Sequence, residues 1–173
     1  MTNDPAVYLD DVRTALGARG FEVSRAELVG RPADVGRRSD FRWRWVGVRL
    51  HTAVLVCSFA AEEATVGALD AFLDAASRWA VENRRGRGPL GLQSGTAAIA
   101  VALLPEGAGQ AHEWASKSHG NRFAAVAYPV AVDLREGSVV QPRRMVVGRI
   151  FVAFLRGVVR DVLEAPLGSV PTR

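Results

Sequence analysis

Two stretches of this chain run almost without polar interruption, and they limit what it can fold into. Leu50 to Phe59 has the continuously apolar middle Ala53 to Cys57, and Ala97 to Leu104 contains no polar residue at all. A strand with one wet face alternates apolar and polar side chains. A strand that is apolar throughout is covered on both faces, as parallel strands flanked by helices are. Neither run approaches the ~20 apolar residues of a membrane span, so both are expected to lie at the centre of a sheet.

The segments around them supply the covering layers. Asp4 is a good N-cap and Pro5 suits the first helical position. Tyr8, Val12, Ala15 and Leu16 then share one helical face, and Gly17 or Gly20 ends the helix. A strand is expected over Phe21 to Leu28, then a loop from Gly30 to Ser39 with Pro32 and Gly36 as breakers. Asp40 to Trp45 alternates strictly, which predicts a half-buried strand with Phe41, Trp43 and Trp45 inward and Arg42 and Arg44 in solvent. After the first apolar run, a long helix over Ala61 to Asn83 turns Val66, Leu69, Leu73, Ala76 and Trp79 inward. A short helix over Gln110 to Lys117 and a strand over Phe123 to Val132 follow the second run. Val139 to Val147 reads as the hairpin partner of that strand, and Arg149 to Glu164 as a final helix.

The expected order, α-β-β-β-α-β-α-β-β-α, describes one α/β domain over residues 1–165 and a frayed tail over 166–173. Its sheet is mixed, with a parallel centre and antiparallel edges, and helices cover both faces. With 173 residues, 49% of them hydrophobic and 23% charged, the chain can bury a core without disulfides. Its single cysteine, Cys57, lies inside the first apolar run and reads as a small buried hydrophobe. Residues 1–5 lack the pattern of a signal peptide, so a soluble, cytoplasmic protein without membrane contact is expected.

Motifs that could carry chemistry fail on context. Gly86, Gly88 and Gly91 match G-x-G-x-x-G, but this fingerprint joins a strand to a helix, whereas here a helix precedes and a strand follows. His112-Glu113 begins like a zinc-protease helix, but Ser116 stands where the second histidine belongs. His51, His112 and His119 are scattered. No catalytic residue, metal ligand set or cofactor is expected on this reading, and an enzyme of unrecognised type remains only an alternative.

The element order αβββαβ over residues 5–132 resembles the core of the restriction-endonuclease-like nucleases, with Asp40 near their first acidic position. That resemblance implies a carboxylate and a lysine two residues apart on the next strand. Val54 to Phe59 has neither, so a core without the catalytic motif is implied. Ligands of open α/β sheets sit beyond the C-terminal ends of parallel strands, where this chain offers Ser58, Glu106 and Asp133.

The most unusual segment is Arg31 to Arg49, with six arginines against Asp34 and Asp40. Arg37, Arg38, Arg42 and Arg44, together with Arg84, Arg85 and Arg87, are the candidate contacts for a polyanion such as nucleic acid. The net charge of +4 is modest for such a role. The alternative is a homo-oligomer or protein partner docked on the final helix, whose wide apolar stripe offers Phe151 and Leu155. A non-catalytic binding or interaction protein is the function expected from sequence.

Overall fold

The computed structural model describes residues 4–45, 47–84, 94–145 and 148–168, and for Arg44 the backbone alone. The chain forms a seven-stranded mixed sheet with helices on both faces, as the apolar runs require. Helix α1 (Pro5–Ala18) is capped by Asp4, whose carboxylate accepts the Ala6 N–H at 2.8 Å. Strands β1 (Glu22–Leu28), β2 (Arg31–Phe41) and β3 (Arg49–Ser58) form an antiparallel meander. Helix α2 (Val66–Glu82) leads to β4 (Ser94–Leu104), and α3 (Ala111–Ser116) to β5 (Asn121–Arg122), β6 (Ala125–Asp133) and β7 (Ser138–Val140). The sheet order is β1-β2-β3-β4-β6-β5, with β7 also on β6. The β3–β4 and β4–β6 pairs are parallel and the rest antiparallel.

The C-terminal helix starts as a 3-10 turn at Arg149–Phe151 and runs as α4 over Val152–Val159. It widens to a π turn at Arg160–Glu164 and ends as α5 at Ala165–Gly168. Pro166 to Gly168 thus continue the helix instead of fraying, and residues 169–173 lie outside the described residues.

Two cores result. On one face, Tyr8, Val12 and Leu16 of α1 and Phe154, Leu155 and Val159 of α4 pack on Val54, Ile99, Val101 and Val130. On the other, Leu69, Phe72, Leu73 and Ala76 of α2 and Trp114 of α3 pack on Leu55, Ala98, Ala100 and Ala131. The alternation along β4, large residues toward α1 and α4 and mainly alanines toward α2, lets α2 sit close to the sheet.

Four local expectations change. Residues 31–41 are strand, not loop: Val29 and Gly30, both with positive φ, turn the chain tightly from β1 into β2. Pro32 stands one residue before the β2–β3 pairing begins at Ala33. The strand ends at Phe41, and Trp43–Trp45 is a 3-10 turn, so the alternation of 40–45 does not continue as a ladder. Phe41 is 49% and Trp43 84% exposed, while Trp45 is buried between Phe151 and Phe154, with ring centroids 5.2 Å from each. Helix α2 begins at Val66 under a Thr65 cap, which leaves Val66 exposed and Glu62 and Glu63 ahead of the helix. Of the hairpin partner expected over 139–147, the described residues show strand only at Ser138–Val140, and residues 146–147 lie outside them. No helix among the described residues is long and apolar enough to cross a membrane.

Candidate anion-binding surface

Neighbouring residues on a strand point to opposite faces, and this sorts the arginines of β2. Arg37 is the register partner of Ala53 and Arg38 of Thr52. Ala53 belongs to the α2-side core, so Arg37 points toward α2 and Arg38 toward α1 and α4.

On the α2 side, a cavity of about 270 Å³ is lined by Arg37, Ser39, His51, Trp79 and Arg84, among others. The Arg37 guanidinium pairs with Glu22 at 3.2 Å, donates to the Asn83 carbonyl at 3.3 Å, and lies 5.8 Å from the Trp79 ring centre. Ser39 Oγ is 2.7 Å from His51 Nδ1. Burial, with the positive charges of Arg49 and Arg84, pushes the His51 pKa below its ordinary value and keeps the ring neutral. A serine–histidine pair suggests nucleophilic chemistry. A general base of that kind needs an orienting carboxylate or equivalent on its second nitrogen, and His51 Nε2 has no partner among the described residues.

On the opposite face, a cleft of about 210 Å³ is lined by Arg19, Arg38, Arg42 and Arg160, with Asp161 as the acidic lining residue. Asp161 pairs with Arg19 at 2.7 Å and Arg160 at 3.0 Å. Arg38 makes two bonds of 2.8 Å to Asp40, and its guanidinium covers the Phe21 ring at 4.9 Å. That bidentate pair commits Asp40 and removes it as an analogue of a nuclease metal ligand. Arg42 rests over Phe154 at 5.0 Å and Trp45 at 5.3 Å, and no carboxylate pairs with it among the described residues. Beside Arg42 in the chain stands the exposed Trp43, edge-to-face with Phe41 at 5.4 Å.

The structure thus brings Arg37 and Arg84 together on one face and Arg38 and Arg42 on the other. The Arg44 side chain, Arg85, Arg87 and the glycine motif of 86–91 lie outside what is described. Arg19 and Arg160 were missed from sequence, since only the packing of α1 against the C-terminal helix brings them to Arg38. Phe151 and Leu155, expected as interface residues, are 7% and 0% exposed. Both side chains belong to the chain's own core, where Phe151 packs edge-to-face on Trp45.

His119 does meet a carboxylate: its Nδ1 is 3.6 Å from Asp70, beyond hydrogen-bond range, and 3.4 Å from Arg122 Nη2, while its Nε2 is 3.0 Å from the Trp114 carbonyl oxygen. Asp70 also accepts from Trp114 Nε1 at 3.2 Å and faces Arg122 at 3.5 Å, and Arg122 pairs with Asp74. This network ties the β5–β6 hairpin to α2 and leaves the imidazole no spare nitrogen for catalysis.

No protein-family model, curated protein or solved structure matches this chain.

Proposed function

We propose that this chain is a non-catalytic binding protein for an anionic partner, single-stranded nucleic acid, taken on the surface formed by Phe41, Arg42, Trp43 and the arginine cleft beside them. The exposure of Trp43 next to an arginine without a carboxylate partner among the described residues carries this reading. A large aromatic ring held in water forfeits the stabilisation of burial, about 1.5–3 kcal/mol for a large apolar side chain, and a stacked base restores it at about 1–3 kcal/mol per base. Aromatic rings in the core, as expected from the alternation, could not have shared a ligand with solvent-facing arginines; an exposed pair can. Four arginines line the cleft, of which Arg42 alone has no carboxylate partner among the described residues, and arginine's planar fork matches a phosphate.

The test is fluorescence anisotropy with a labelled oligothymidylate. Binding should weaken steeply as salt rises. Arg42→Gln should lower the slope of log affinity against log salt by about one unit. Trp43→Ala should weaken binding by about 5- to 150-fold, the loss of one stacked base. Absence of salt-sensitive binding, or binding indifferent to both substitutions, overturns the proposal.

A further inference from the structure

At the opposite end of the parallel strands, three residues from separate parts of the chain converge. Asp133 ends β6, Glu136 lies in the turn to β7, and His112 lies in α3. One ligand-type atom from each falls within 4.8 Å of the other two. Asp133 is 1% exposed. Its carboxylate accepts the Ala108 N–H at 2.8 Å and the Glu136 N–H at 2.9 Å, which fixes its orientation. No arginine or lysine pairs with it among the described residues. Buried carboxylate charge is ordinarily paired with a cation or bound to a metal. A second observation points the same way: His112 Nε2 is buried and has no hydrogen-bond partner.

We infer that His112, Asp133 and Glu136 form a binding site for a divalent transition-metal ion of the zinc class. One imidazole nitrogen and two carboxylates suit such an ion, whereas calcium and magnesium favour all-oxygen sites. Bonds of about 2.0–2.2 Å place tetrahedral ligand atoms about 3.3–3.6 Å apart. The three side chains therefore need only close inward, and Glu136, exposed on its turn, is free to do so. An ion bound through His112 Nε2 would satisfy that orphaned nitrogen and neutralise the buried carboxylate together. Three protein ligands leave a fourth position to solvent or a small anion. The site also occupies the end of the sheet where open α/β folds take their ligands. It stands apart from the arginine cleft, and neither proposal depends on the other.

Isothermal titration of the chelator-stripped, untagged chain with zinc chloride tests it. The expected result is one zinc ion per chain, with magnesium in excess failing to compete. Glu136→Gln, an exposed change that leaves the fold intact, and His112→Gln should each weaken zinc binding by about tenfold or more. Circular dichroism of each variant confirms that the fold survives. Absence of saturable zinc binding at about millimolar ion, or stoichiometric binding unchanged in both folded variants, overturns the inference.

Discussion

Ser39 and His51 are register partners across the β2–β3 ladder, and the Ser39 hydroxyl oxygen lies 2.7 Å from His51 Nδ1. The pair sits where burial and the charges of Arg49 and Arg84 disfavour an imidazolium. In the unfolded chain the same ring titrates near its ordinary value of about 6.5. As pH falls through that value, the unfolded chain takes up the proton first and stability drops. The drop stops growing once pH passes below the depressed folded value. Urea unfolding of the native chain should therefore show a lower midpoint at pH 5 than at pH 7, and His51→Gln should lose part of that difference. A pH dependence identical in the two proteins contradicts the neutral assignment.

Gly36 in mid-strand marks the crossing point of α1. A Cβ at this position would come within 2.8 Å of Leu16 Cδ2 and 3.1 Å of Cδ1, and Leu16 is fully buried. Gly36→Ala should destabilise the fold by about 1–3 kcal/mol through overpacking. In a double-mutant cycle with Leu16→Ala the two costs should fail to add, because the smaller side chain makes room. Additive costs, measured by denaturant unfolding, remove α1 as the reason for the glycine.

The same glycine explains how far the fold could be read from sequence. The apolar runs of β3 and β4 reported burial on both faces directly, because that burial is a property of each residue's own side chain. Gly36 and Pro32 looked like breakers because their reasons lie elsewhere: Leu16 is 20 positions away in the chain, and Pro32 precedes the β3 pairing. Phe41, Arg42, Trp43 and Arg44 kept the strand period past the end of the strand, and no local residue signals that the chain leaves the sheet at Phe41. Side-chain groupings assembled across the fold were invisible for the same reason. Nothing near His112 points to Asp133 and Glu136, and nothing near Arg38 points to Arg19 and Arg160.

Cys57 should be chemically silent in the native state. It is 1% exposed, and burial pushes its thiol pKa up to about 12. The reactive species is the thiolate, and at pH 8 the folded chain holds very little of it. Ellman's reagent should label the native chain only as fast as the chain unfolds, and label it at once in about 6 M guanidinium, a fully denaturing condition. Rapid labelling of the native chain contradicts both the burial of β3 and the position of Phe59 beyond it.

Trp43 and Trp45 separate the half-buried strand from the 3-10 turn most sharply. In a strand, residues two apart share a face, so both indoles would be buried and both truncations costly. In the turn, Trp43 lies 84% exposed against Phe41, while Trp45 is 1% exposed and makes edge-to-face contacts with Phe151 and Phe154. Trp45→Ala should cost about 3–5 kcal/mol, because it empties the space that anchors the start of the C-terminal helix. Trp43→Ala should cost under about 1 kcal/mol, the worth of one exposed ring contact. Acrylamide should quench Trp43 fluorescence far more strongly than Trp45, read as the quenching lost on replacing Trp43 by phenylalanine. Equal costs for the two truncations would restore the strand and bury the surface on which the nucleic-acid proposal depends.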